Sequence, residues 1–202
     1  MAITSAQQGA ITEAEFVKIA ILSSNGALVP ARPIADDERR DFEIHIRHHF
    51  RETLAVQVKT ARRLRVHGRS RRLQIDFQMK RPLVVDDRLW FLLARFDVRA
   101  MGLDDPLFFV PSDFLVHNAR HGLASGVAKF QIQASMELTA QDKWTPYQVL
   151  KADLGSRILE ILGDLPTRSR SSQPRADLLA LRNVIWVPAQ PAALQSARRW
   201  AA

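Results

Sequence analysis

The spacing of apolar residues changes period several times along the chain, and each change predicts an element. Over 12–25, Phe16, Ile19, Ala20 and Leu22 recur at helical spacing. Thr12 and Glu15 have the spacing of a capping box, and Gly26 supplies a left-handed stop. Residues 1–10 are small and polar, which predicts a frayed end. Residues 27–34 predict a first strand, held to a sheet edge by Pro30 and Pro33. Strict alternation follows twice. Phe42, Ile44 and Ile46 face one way and Asp41, Glu43 and His45 the other; after a turn, Leu54, Val56 and Val58 oppose Ala55, Gln57 and Lys59. Residues 73–80, 87–96 and 107–111 predict further strands. A short helix over 113–120, started by Ser112 and ended by Gly122, comes next, and then a partly alternating strand over 127–138. A long helix capped by Thr145, opened by Pro146 and closed at Gly163 follows.

Helix, run of strands, then helices predicts a mixed α/β (α+β) fold with an antiparallel meander at the centre of its sheet. The predicted organisation is a flexible N-terminus (1–11), one domain (12–163), a linker (164–175) containing TRSRSSQPR, and a tail (176–202). Trp186 and Trp200 give the tail enough apolar surface to dock on the domain or on a protein partner.

Composition narrows the classes. The 202 residues include no cysteine, which excludes a disulfide scaffold, a thiolate metal site and a cysteine nucleophile. MAITSAQQGA lacks a basic region followed by an apolar run, and no stretch is long and apolar enough to span a bilayer. A cytoplasmic protein with no membrane partner is the expectation.

Charge changes the picture more. Of 29 Lys and Arg residues and 21 acids, nine cations and one acid (Asp76) lie within 59–81, so the rest of the chain is neutral and the net +8 belongs to this segment. Lys59, Arg62, Arg63, Arg65, Arg69, Arg71 and Arg72 lead it, with Gly68 near the tip of the connection between strands. Guanidinium forks suit phosphate, so nucleic acid, DNA above all, is the expected partner.

The two alternating strands carry the candidate chemistry. If they pair and bury their apolar faces together, Asp41, Gln57 and Lys59 share the opposite face. Carboxylate and amide oxygens suit Mg²⁺ or Mn²⁺, and a neighbouring ammonium can position water or stabilise phosphate charge. Glu13, in the first turn of the predicted helix, can add a carboxylate. Other chemistries lack their signatures. His45, His48 and His49 have metal-ligand spacing only if helical, Ser112 and Ser135 lack a nucleophile-elbow context, and no glycine-rich phosphate loop occurs.

In order, the chain has Gly9, Glu13, Gly26, ARPIADDERRDFEIHI and LAVQVKT, followed by FFVPSDF. This series resembles the PD-(D/E)XK nuclease superfamily, the fold of many type II restriction enzymes and archaeal Holliday-junction resolvases. The resemblance is nearest to its glutamine-motif (QXK) branch, which includes uncharacterised bacterial endonuclease-like proteins, and covers about residues 9–163. It implies a mixed sheet of four to five or more strands flanked by helices, and a metal-dependent endonuclease. It also implies Asp41 and Gln57 as metal ligands, Lys59 as the catalytic lysine and Glu13 as the helix glutamate. Two departures stand out: Arg40 precedes Asp41 where the superfamily has Pro, and neutral Gln57 replaces an acid. The superfamily also contains inactive relatives. The alternative is therefore a non-catalytic nucleic-acid-binding or assembly subunit that keeps the fold. A homodimer is a further expectation, since cutting both strands of a duplex takes two sites.

Overall fold

The computed structural model describes residues 3–34, 40–68, 70–80, 83–124, 127–168 and 184–186. Arg69, most of the expected linker and the tail apart from 184–186 lie outside the described residues.

The first helix, α1, runs Ser5–Ser23 and so begins well before the expected start at residue 12. Its capping box is made by Thr4 and Gln7, not by Thr12 and Glu15. Thr12 lies inside the helix, buried, with its hydroxyl donating to the Gly9 carbonyl. The helix stops as expected at Gly26, whose φ of 74° follows Asn25 at 52° and whose N–H donates to the Ile21 carbonyl.

Strand β1 (Leu28–Ala31) lies at the sheet edge, pairing antiparallel with β2 (Phe42–Ile46). A tight turn at Arg47–His48, with His48 at φ 69°, leads into β3 (His49–Ala61). The basic segment is no loop. It forms β4 (Leu64–His67) and β5 (Ser70–Lys80), a hairpin with Gly68 at its tip at φ 62°. Next come β6 (Leu83–Val85), β7 (Leu89–Asp97), β8 (Gly102–Leu103) and β9 (Leu107–Pro111). Helix α2 (Ser112–Asn118) is shorter than expected, because Arg120–Ala124, with Gly122 inside it, is strand β10. Ser112 does not cap it: the Ser112 hydroxyl instead bridges the backbone N–H and carbonyl of Asp86.

Strand β11 spans Val127–Ser135. The expected long helix from Thr145 is replaced by a 3-10 turn (Thr145–Tyr147), β12 (Gln148–Val149) and a second 3-10 turn (Lys151–Asp153). Asp142 accounts for the difference. Its carboxylate accepts from the N–H groups of Trp144 and Thr145, tying the Thr-Pro signal into a loop. Helix α3 then runs Leu154–Arg168, straight through Gly163 and into the expected linker. From the tail, β13 (Val184–Trp186) pairs parallel with β6.

The fold is mixed α/β, as expected, but with two main sheets. The larger has the order β1-β2-β3-β7-β9-β12, with β8 beside β7. Its β1-β2-β3 meander lies towards one edge, and its centre is the parallel pair β3–β7. The smaller is β10-β11-β5-β4. Helices α1 and α3 cover one face of the larger sheet through Phe16, Ile19, Leu54, Val56, Trp90, Leu92, Phe109, Ile158 and Ile161. The other face packs through Phe91, Leu93, Phe108 and Val110 against Leu73, Ile75, Phe130 and Ile132 of the smaller sheet and against α2. Strand β7 is apolar on both sides over LWFLLA because it lies between these two cores. The helices meet closely at Gly155, whose N–H donates to the Ser23 hydroxyl at 2.8 Å.

Candidate active site and basic hairpin

Strand β3 sets the site. Leu54, Val56 and Val58 enter the helix-side core, so Ala55, Gln57, Lys59 and Ala61 face the smaller sheet. Ala55 and Ala61 pack on the second core, and their small side chains leave room for the layer above. Gln57 is therefore buried at 7 % exposure, and Lys59 is partly exposed.

Asp41 is fixed beside this strand by two hydrogen bonds. The register Phe42↔Val56 puts it opposite Gln57 at the open end of β2. Its N–H donates to the Val56 carbonyl at 2.9 Å, and its Oδ2 accepts from the Val58 N–H at 2.7 Å. The structure thus brings Asp41 against the backbone between Gln57 and Lys59. Gln57 Oε1 is buried with no hydrogen-bond partner. A buried amide oxygen without a donor costs about 1–3 kcal/mol, so it marks a position that a ligand can satisfy. The carboxylate and the amide oxygen are hard donors of the kind Mg²⁺ takes. Among the described residues no group of three His, Asp or Glu side chains gathers as a metal site, so the pairing rests on one acid and one amide.

Glu13 stands on the helix side, linked to the site at one remove. Its carboxylate pairs with Arg32 at 2.5 Å, and the Arg32 guanidinium lies 5.4 Å from the centre of the Phe42 ring, next in sequence to Asp41. Phe42 also meets Phe16, one turn along from Glu13, at 5.3 Å between ring centres. The start of α1 is pinned to the end of β3 by the Gln8 amide on the Thr60 hydroxyl at 2.9 Å.

The fold so assembled has a counterpart. The bacterial homing endonuclease I-Ssp6803I shares it. The likeness covers 84% of this chain and 100% of that structure, with a TM-score of 0.50 and 11% identity. At that identity what is shared is the fold, a nuclease-like one. No known protein family and no curated protein matches the sequence. No helix among the described residues is long and apolar enough to cross a membrane.

Within this nuclease-like frame the basic residues divide by position. Arg62 is turned inward: Nε donates to Gln8 Oε1 at 2.5 Å and Nη2 to the carbonyls of Ile3 and Thr4 at 2.7 and 3.2 Å. Arg63, Arg65 and Arg71 are exposed, and Arg72 is partly so, cross-strand from Arg65. A shallow depression of about 330 Å³ opens between the end of β3 and β5, lined by Ala61, Arg62, Arg63, Arg65, Gln74 and Asp76. The hairpin belongs to the layer that covers the Gln57 and Lys59 face, so patch and candidate site share one side of the larger sheet.

Sequence reasoning missed one acidic feature. Asp86 and Asp87 open β7. Burial first, then the neighbouring Asp86, raises the Asp87 carboxyl above its ordinary range, and Asp87 Oδ2 is buried without a hydrogen-bond partner. The DD pair before an apolar strand looks like an ordinary turn, and only the packing of the turn reveals it.

Proposed function

We propose that this chain is a divalent-metal-dependent nuclease that hydrolyses phosphodiester bonds in DNA, with a site of the PD-(D/E)XK type in its glutamine form. The observation that carries this is the Asp41 carboxylate hydrogen-bonded to the Val58 N–H, on the backbone between Lys59 and Gln57, whose buried side-chain oxygen has no donor. The nuclease-like fold supports it, as does the cationic hairpin over the same face.

In this reading Asp41 and Gln57 hold Mg²⁺ or Mn²⁺. A cation there supplies Lewis acidity towards a phosphate oxygen and makes a bound water easier to deprotonate. Lys59 orients the attacking water and offsets charge as it develops on the phosphate. Glu13 sets Arg32 and the start of β2, and so supports Asp41 from the helix side. Arg63, Arg65, Arg69, Arg71 and Arg72 grip the nucleic-acid backbone, while Arg62 holds α1.

The test is incubation of the chain with single-stranded, duplex and branched DNA in Mg²⁺ or Mn²⁺. Cleavage is expected, together with its loss in Lys59→Ala and in metal-free buffer. Intact substrates throughout would overturn the reading.

One observation favours a second reading. The Glu13 carboxylate is engaged by Arg32 and Asp41 Oδ2 by Val58, which leaves neutral Gln57 as the other donor. A non-catalytic DNA-binding subunit is the corresponding function. It predicts salt-dependent DNA binding that survives Lys59→Ala, with no cleavage under any metal.

A further inference from the structure

The outer face of the smaller sheet carries a side-chain network that the chemistry of cleavage does not use. Inward, β5 and β11 present Leu73, Ile75, Phe130 and Ile132 to the core. Outward, Gln133 Nε2 donates to Gln74 Oε1 at 3.2 Å, and Gln74 Nε2 to Asp76 Oδ2 at 2.6 Å. Gln131 Nε2 completes the set by donating to Asp76 Oδ1 at 2.8 Å. Three amides and one carboxylate are thus held in fixed orientations on an exposed or half-exposed surface.

The sheet narrows at Gln74 and Gln133, one step from the Asp76–Gln131 pair. Strands β5 and β11 pair over nine residues, from Val127↔Lys80 to Ser135↔Arg72. Strand β4 reaches only as far as Leu73 from one end, and β10 only as far as Gln131 from the other. At Gln74↔Gln133 and Ile75↔Ile132 the sheet is therefore two strands wide. A two-stranded ribbon is what the major groove of B-form DNA admits, whereas the deep, narrow major groove of duplex RNA does not. Glutamine amides suit adenine edges, and a carboxylate suits the cytosine amino group. Charge fits as well, because the depression beside the waist places Arg63 and Arg65 next to Gln74 and Asp76, within reach of flanking phosphates.

We infer that the β5–β11 waist, together with the Asp76–Gln131 pair at its edge, is a sequence-reading ribbon that enters the DNA major groove, with Gln74, Asp76, Gln131 and Gln133 on base edges. The inference takes its partner class from the nuclease reading, but its test does not depend on cutting.

Duplexes with a randomised central segment are selected for binding by the full chain carrying Lys59→Ala. Enrichment of defined base pairs is expected. Replacing Gln74, Gln131 and Gln133 together by Ala should flatten the preference by roughly tenfold per position, with the salt dependence of binding unchanged. Gln133→Glu should change the preferred base at one position, a result that mere loss of packing does not give. Thermal unfolding confirms that each variant is folded. No enrichment, the same preference in the folded triple variant, or equal affinity for duplex RNA or polyglutamate overturns the inference. Failure to cleave DNA overturns only the nuclease reading, and flat selection only this one.

Discussion

The Arg62 guanidinium grips the Gln8 side chain at 2.5 Å across 54 residues of sequence. A cation that composition assigns to phosphate is committed instead to the start of α1, where it also holds the carbonyls of Ile3 and Thr4. The bonds to Gln8 and Ile3 are partly buried and involve a charged donor, each worth about 1.5–3 kcal/mol before solvent screening. Arg62→Ala should therefore lower the melting temperature while leaving the salt dependence of DNA binding unchanged. A variant that melts with wild type but binds DNA with a shallower salt slope would place Arg62 on the nucleic acid.

Arg63 and Arg65 should behave in the opposite way. Both are exposed. Each substitution to Ala should leave the unfolding free energy within about 0.5 kcal/mol of the wild-type value. Each should also reduce the slope of log K against log salt by about 0.9 on duplex DNA. Titrations at several salt concentrations measure this directly.

Gln57→Glu converts the neutral donor to an acid beside Asp41. Hard-cation affinity rises with ligand charge, so Mg²⁺ should bind about tenfold more tightly by calorimetry. Without metal the same variant should be less stable than wild type, because the new carboxylate is buried opposite another. Unchanged Mg²⁺ affinity in a folded Gln57→Glu chain would remove Gln57 from any metal site.

Gly155→Ala tests the junction of α1 and α3. A Cβ at Gly155 would lie 2.4 Å from the Ser24 backbone nitrogen. Neither helix can retreat without opening the core around Phe16 and Ile158, so the loss should be about 3 kcal/mol or more by denaturant titration. Gly163, where a Cβ meets nothing within 4 Å, is the internal control: Gly163→Ala should be neutral or stabilising.

Asp87 makes a pH-dependent prediction. Its carboxyl is raised in the folded chain by burial and by Asp86, so the folded state holds this proton more tightly than the unfolded state does. Its contribution is fully favourable below the unfolded carboxyl range and is lost as pH rises through the folded value. Asp87→Asn should therefore be more stable than wild type at neutral pH, with the difference closing as pH falls through the raised folded value and gone below the ordinary carboxyl value of about 4. Melting curves over that range give the sign.

The two strands of the site were legible because alternation fixes parity: Leu54, Val56 and Val58 leave Gln57 and Lys59 no other face. The layer on that face was not. Only the small residues Ala55 and Ala61 announce it, and alternation alone cannot distinguish a solvated face from one covered by a second sheet. The true start of α1 was hidden for a different reason. Its first turn, SAQQ, has no apolar stripe because it is held by Arg62 and Thr60 through polar bonds, not by core packing. At Thr145–Pro146 the local signal for a helix start was sound, but Asp142 diverts it into a 3-10 turn, so the tertiary contact outweighs propensity.

The register between β2 and β3 breaks once. His45 pairs with Thr53 but Ile46 pairs with His49, so Phe50, Arg51 and Glu52 sit in β3 without partners in β2. Any insertion or deletion of a single residue between Thr53 and Lys59 would invert the strand, sending Gln57 and Lys59 into the helix-side core. At Phe50–Glu52 the same change only enlarges or trims an existing bulge. A change in length is thus absorbed on one side of Thr53 only, and the spacing from Thr53 to Lys59 is the part of this strand that fixes the site's parity.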